Sequence, residues 1–233
     1  MTNGHDIGRR KWTPAAIARR SAGVVREEGV QSLWFRMLGE TIYRRLVFFV
    51  CRQDCMPPDL PSSANLTLST IADSDCETYE RFRGGAIDCR RLLQSGKRCW
   101  VLRNGTGIVS SCWAATDFAE IPYLDLRIQL APGQIYLFDT YTAPAYRGRF
   151  HASLLVTGLV QSFRRQSERA VISAVLPENR SGMALFGRLG FQQAGLVGYL
   201  GIGPWRHEFC RSAIELDEPG GKRFPCLADG KTG

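Results

Sequence analysis

A chain of 233 residues, 44% hydrophobic and 22% charged, can bury the core of one domain with extensions, which excludes the disordered, collagenous and disulfide-stapled classes. Its longest apolar stretch, Leu46 to Cys51, is bounded by Arg44, Arg45 and Arg52 and falls far short of the roughly 20 residues of a bilayer span. No apolar stretch precedes Trp12 in the basic N-terminus, so the sequence reads as cytoplasmic.

Thirty Lys and Arg against 22 Asp and Glu leave a net charge of +8, and residues 1–55 hold ten of the bases against five acids. Such a stretch suits an anionic membrane surface, nucleic acid, an acidic cofactor or plain solvation. No nucleic-acid recognition motif accompanies it, and nucleic acid is not expected as a partner. The eight cysteines include one close pair, Cys51 and Cys55, beside only three histidines. No metal site is expected, and the thiols read as buried or reduced.

Pro14 opens a first helical stretch, Ile17 to Val25. Val30, Leu33, Trp34, Met37, Leu38, Ile42 and Leu46 then recur at spacings of three and four, which predicts an amphipathic helix. Its stripe packs on the following domain or lies on a membrane surface. Pro57, Pro58 and Pro61 mark a boundary, which gives a basic helical extension over 1–61, a domain over 62–216 and a mobile tail over 217–233. Within the domain, Leu66 to Ile71 reads as a strand, and Asp73 to Gln94 as helical material broken at Gly84 and Gly85. Cys99 to Arg103 and Ile108 to Ala115 flank the hairpin signal Asn104-Gly105. Ile135 to Thr142 is a strand, Ala152 to Arg165 a helix, and Ala170 to Leu176 a strand. Ser181 to Leu189 is a short helix that Gly190 closes in a left-handed conformation, with Phe191 packing back. Gln192 to Leu200 and Glu208 to Leu216 are β-rich, and the glycines from Gly195 to Gly203 read as turns and bulges. Elements alternating in this way favour an α/β or α+β domain.

The window from Tyr136 to Val156, YLFDTYTAPAYRGRFHASLLV, carries the chemistry. A strand gives way to the loop Arg147-Gly148-Arg149 and then to a helix. The free N–H groups and dipole of a helix start favour a phosphate, Gly148 admits close backbone approach, and the arginines add donors. The alternative is an ordinary strand-turn-helix with exposed arginines.

This window resembles motif A of the GCN5-related N-acetyltransferases through Asp139, Tyr141, Thr142, Pro144, Tyr146, Arg147, Gly148 and Ala152. Asn179 to Phe191 resembles motif B through Asn179, Leu185, Gly190 and Phe191. The resemblance spans about Leu66 to Leu216. It implies a GNAT-like mixed, mostly antiparallel sheet of six or seven strands flanked by helices, and acetyl-CoA or another acyl-CoA as cofactor. The strand holding Thr140 and Thr142 would splay from Ala170 to Leu176, so that its free backbone groups bind the pantetheine arm. The pyrophosphate would lie on the N–H groups of Arg147, Gly148, Arg149, Phe150, His151, Ala152 and Ser153, with Asn179 and Ser181 near the thioester. The implied activity is acyl transfer to a primary amine. The motifs do not report the acceptor: a small-molecule amine or amino sugar is expected, a polyamine, an amino acid or a protein terminus stays open, and a homodimer is allowed.

Two positions depart from the family pattern. Phe150 replaces a motif glycine, or one residue is deleted and His151 takes a neighbouring place. Phe186, counted among the expected cofactor-binding residues, stands where many members carry a proton-donating tyrosine, and phenylalanine has no proton to give. These departures motivate a second reading, a degenerate module that binds acyl-CoA without turnover. Asp139 is the candidate base, acting directly, through water or by holding the amine; its structural alternative is a strand carboxylate bonded to backbone or to an arginine. Tyr141 and Tyr199 are the candidate acids or else core and rim aromatics, and solvent can also protonate a departing thiolate.

Overall fold

The computed structural model describes residues 43–52, 65–105, 107–166, 170–202 and 205–212. Its elements run β1 (Tyr43–Arg52), β2 (Leu66–Thr70), α1 (Cys76–Phe82), α2 (Cys89–Gln94), β3 (Arg98–Asn104), β4 (Gly107–Ala115), β5 (Phe118–Ile121), β6 (Leu126–Gln129), β7 (Gln134–Thr142), α3 (His151–Arg165), β8 (Ala170–Val175), α4 (Arg180–Arg188), β9 (Gln192–Ile202) and β10 (Trp205–Ser212). Eight strands form one sheet in the order β10-β9-β1-β8-β7-β4-β3-β2, and β5 pairs with β6 in a separate hairpin. The β7–β8 pair is parallel, while its neighbours on both sides are antiparallel.

The helix expected to run through Leu46 is corrected from Tyr43 onward, and with it the placing of residues 43–52 in an extension outside the domain. Those residues are a strand between β8 and β9, which makes the sheet one strand larger than expected. Successive side chains of a strand point to opposite faces, and here both faces are covered. Leu46, Phe48 and Val50 join one core cluster, whereas Val47, Phe49 and Cys51 join another. A strand buried on both sides therefore reads as an unbroken apolar run. An ion pair of 2.9 Å between Arg45 and Glu178 ties the start of β1 to the loop after β8. The rest of the extension, residues 1–42 and 53–61, lies outside the described residues, as does the expected tail. No helix of the described residues is long and apolar enough to cross a membrane.

One face of the sheet packs on α3 and α4 through Leu155, Val156, Leu159, Phe163, Phe186 and Leu189. The other carries the β5–β6 hairpin over β1, β7 and β8, through Ala119, Ile121, Leu126 and Ile128, and α1 with α2 over β3 and β4, through Cys76, Tyr79 and Cys89. The six described cysteines, Cys51, Cys76, Cys89, Cys99, Cys112 and Cys210, are buried.

One expected glycine role is visible and another is corrected. Gly190 closes α4 at φ +77°, and the Phe191 N–H donates to the Phe186 carbonyl at 3.1 Å, the 6→1 bond of a Schellman-type cap. Gly198, expected in a turn or bulge, lies inside β9 facing β1. A Cβ there would run into the Arg44 carbonyl and the Phe209 ring, so close backbone approach is what requires glycine.

Candidate functional site

The sheet parts at its one parallel pair. Gln134 to Leu137 of β7 pair with Ala170 to Ser173 of β8, and the pairing stops there. Beyond it, β7 keeps β4 as partner as far as Thr142, while β8 keeps β1 through Ala174 and Val175. At the parting point the Ser173 hydroxyl donates to the Leu137 carbonyl at 3.1 Å. Among the described residues, then, β7 has no strand opposite its β8 side from Phe138 to Thr142, which leaves backbone groups there for another partner, although the Tyr141 carbonyl accepts from Ser110 Oγ and the Thr142 carbonyl from Arg147 Nε.

The open half of β7 is also irregular. Its register with β4 shifts between Ser111 and Trp113, and Asp139 takes φ +48°. An extra residue of this kind is a β-bulge, and positive φ in a non-glycine residue is a strained conformation that clusters at functional sites. Beyond the bulge, Asp139 and Tyr141 both reach the end of α1. Asp139 Oδ1 accepts from Arg83 Nη2 at 3.0 Å, and the Arg83 guanidinium lies 4.1 Å from the centre of the Tyr141 ring, within cation–π range. Phe82 meets the same ring edge-on at 5.3 Å. The Asp139 side chain is 32% exposed and that of Arg83 only 9%. Burial pushes the Asp139 carboxyl above the ordinary carboxylate range, against the charge and hydrogen bond of Arg83, which pull it down. Thr140 points the other way and meets Cys112 Sγ at 3.2 Å through its hydroxyl, and the Thr142 hydroxyl meets that of Ser110 at 2.9 Å.

After β7 the chain makes one 3-10 turn, Pro144–Tyr146, and enters α3 through an exposed loop. Arg147 Nε donates to the Thr142 carbonyl at 3.3 Å. Gly148 adopts φ +76°. Phe150 is the N-cap of α3 at φ +60°, and its side chain makes no cap hydrogen bond. Its ring turns to solvent, 59% exposed, so it crowds neither core nor helix start. The first turn of α3 has no acidic residue. The N–H groups of His151, Ala152 and Ser153 precede the first bond of the helix, Leu154 N–H to the Phe150 carbonyl at 2.9 Å. Ser153 is buried and Arg149 exposed, while His151 folds back so that Nδ1 lies 3.0 Å from the Tyr146 carbonyl.

At the mouth of α4, Asn179 Oδ1 accepts from the Gly182 N–H at 3.0 Å and from the Ser181 hydroxyl at 2.8 Å; both expected ligands form the helix cap. Phe186 is 3% exposed, stacked on Phe49 at 5.7 Å and edge-on to Phe191 at 5.0 Å. Its ring faces the core. Tyr199 lies on β9, separated from β7 by β1 and β8, under the Arg206 guanidinium at 4.0 Å. The structure thus gathers Asp139, Tyr141 and the unforeseen Arg83 into one cluster, sets Thr140, Thr142 and the residues from Arg147 to Ser153 along the opening and the loop beyond it, and leaves Tyr199 apart.

Residues 67–191, more than half of the chain, match the acetyltransferase (GNAT) family. No curated protein matches the chain by sequence. Among solved structures, a GCN5-related N-acetyltransferase from Sphaerobacter thermophilus is similar at a TM-score of 0.50 and 17% identity, over 78% of this chain and 57% of that one. A GNAT-family protein from Novosphingobium aromaticivorans is similar at 0.49 and 15%, over 68% and 63%. This chain therefore spans about three fifths of the length of either protein. A GCN5-related N-acetyltransferase from Kribbella flavida gives 0.48 and 16%, over 80% and 73%.

Proposed function

The chain belongs to the acetyltransferase (GNAT) family, and from that premise we propose that it moves an acetyl or other acyl group from an acyl-CoA to a primary amine of a small acceptor, amino sugars included. The observation that carries this reading is the parting of β7 from β8 after Leu137↔Ser173, directly ahead of an uncapped helix start.

The residues present fit an acyl-CoA. A pantetheine arm has amides that can take the place of the missing strand along Phe138 to Thr142. A pyrophosphate suits the free N–H groups of His151, Ala152 and Ser153, where no acidic side chain competes. Arg147 and Arg149 supply charge, and Gly148 lets the backbone approach. When bound, the acyl-CoA supplies an activated thioester.

This chain's own residues then do three things. The groove between β7 and β8 brings amine and acyl carbon together, a contribution of roughly 7–11 kcal/mol where the geometry is well ordered. Asp139 takes the proton of the incoming amine at its carboxylate, directly or through one water. Tyr141 borders the same carboxylate and is the candidate to protonate the leaving sulfur, a step that solvent also performs. Phe186, buried in the core, takes no part in proton transfer.

The reading is tested by following free thiol released from acetyl-CoA over a panel of polyamines, amino sugars and amino acids. Amine-dependent thiol release is expected, and its abolition by Asp139→Asn supports the base. Binding of acetyl-CoA with no thiol release on any amine would favour the degenerate module instead.

A further inference from the structure

We infer that Arg83 is the positioning residue of this reaction: from the end of α1 it fixes Asp139 as an oriented carboxylate against the face of Tyr141. The inference rests on the reading of Asp139 as the base and adds the residue that makes it one.

Three observations meet at this pair. Arg83 is the C-cap of α1, followed by Gly84 and Gly85 at φ +61° and +69°, a turn in which an arginine would ordinarily extend into water. Instead its side chain is 9% exposed. Secondly, it is held there at a cost. Only Nη2 has a hydrogen-bond partner, the carboxylate of Asp139, while Nε and Nη1 are buried without one. Buried unsatisfied donors are expensive, and a guanidinium in a merely structural role has five donors with which to avoid that. Thirdly, its partner is itself strained, since Asp139 reaches the guanidinium from a bulge at φ +48°.

The neighbours explain the rigidity. The Tyr79 hydroxyl on α1 accepts from Trp113 Nε1 at 2.7 Å and lies 3.3 Å from the Ser111 hydroxyl, which pins α1 to β4. Phe82 and Arg83 then close on Tyr141 from one side. Three other titratable groups near the carboxylate are kept neutral by burial. Burial raises the Cys112 thiol on β4, the Cys99 thiol on β3 and the Tyr79 hydroxyl on α1 well above their ordinary ranges. Among the described residues, Arg83 is the cation within ion-pair distance of Asp139.

The test uses the full chain with Arg83→Met, Arg83→Gln and Arg83→Lys. The Asp139 carboxyl is titrated by carbon-13 NMR, with its signal assigned through Asp139→Asn, and the pH dependence of thiol release from acetyl-CoA is measured alongside. Removing the cation leaves burial unopposed. The carboxyl should therefore titrate about one pH unit or more higher in the Met and Gln variants, with Arg83→Lys closer to the parent. The acid limb of kcat should move up by the same amount, while the affinity for acetyl-CoA stays within about twofold, as befits a residue whose one hydrogen bond goes to Asp139. An unmoved carboxyl titration in any folded charge-removing variant, or a shifted titration with an unmoved acid limb, would overturn the inference. Loss of rate in Asp139→Asn with no effect of Arg83→Gln would sink this inference alone. Unchanged rate in Asp139→Asn would sink the base reading on which it stands.

Discussion

The two edges of β8 are built for different purposes. On one edge β1 stays in register from Val47↔Val175 to Arg52↔Ala170, with apolar side chains on both faces. On the other, β7 pairs for four residues, bulges at Asp139 and leaves. The closed edge satisfies its backbone within the sheet and buries some of the largest apolar groups in the chain. The open edge leaves backbone donors and acceptors for something else, and next to them come a strained carboxylate, a buried arginine and an uncapped helix start. One strand thus separates what holds the fold from what the fold is for, and mutations on its two sides should be separable in the same way.

The largest expected effect falls on the open side. Asp139→Asn should lower the rate of acyl transfer per folded molecule about 10²- to 10⁴-fold while leaving acetyl-CoA affinity nearly unchanged, as steady-state rates and calorimetry would report. A thermal scan should show some loss of stability, because the buried Arg83 loses its charged partner. In the parent protein, burial raises the Asp139 carboxyl, and a base must be ionised to act. Activity should therefore fall, as pH drops, at a pH above the roughly 3.9 of a free aspartate. A limb at or below that value would separate the activity from this carboxylate.

On the closed side, Phe48→Ala should do the reverse. Phe48 is fully buried, and its loss should cost about 3–5 kcal/mol in denaturant unfolding. The rate per folded molecule should be kept. A comparable loss of rate at full folding would mean that the two edges are coupled.

The smallest effect is expected at the loop. Phe150 at φ +60° with an exposed ring carries backbone strain, which Phe150→Gly relieves while loosening the unfolded chain. The two terms offset, leaving a change in stability within about 1 kcal/mol. Acetyl-CoA affinity should hold within about threefold, since the direction of the N–H groups is set by the backbone. A large loss of affinity would give the ring itself a binding role.

What could be read from the sequence follows the same division. The open side is written locally: strand, loop and helix are consecutive, so Thr142, Gly148 and the start of α3 stood in one window. Hairpin and cap glycines, Gly105 and Gly190, were legible for the same reason, because a positive φ is a local demand. Arg83 was not, since it meets Asp139 from 56 positions away and only the pinning of α1 to β4 brings it there. β1 was misread because Val47 to Cys51, covered on both faces, carries no period. The β5–β6 hairpin was overlooked, although Ala119 with Ile121 and Leu126 with Ile128 alternate with polar residues and could have been found by their period of two. Phe186 looked like a missing acid by motif position, whereas its burial between Phe49 and Phe191 is a property of packing that spacing does not express.

The central claim is that the open edge of β7 and the loop beyond it hold an acyl-CoA. Calorimetric titration of the full chain with acetyl-CoA, set beside CoA lacking its 3′-phosphate and a longer acyl-CoA, tests it most directly. The account predicts micromolar binding of acetyl-CoA that weakens about tenfold in Arg149→Ala, the worth of one charge-assisted contact. Absence of binding to all three would contradict it, and would mean that the parting of β7 from β8 serves some other partner.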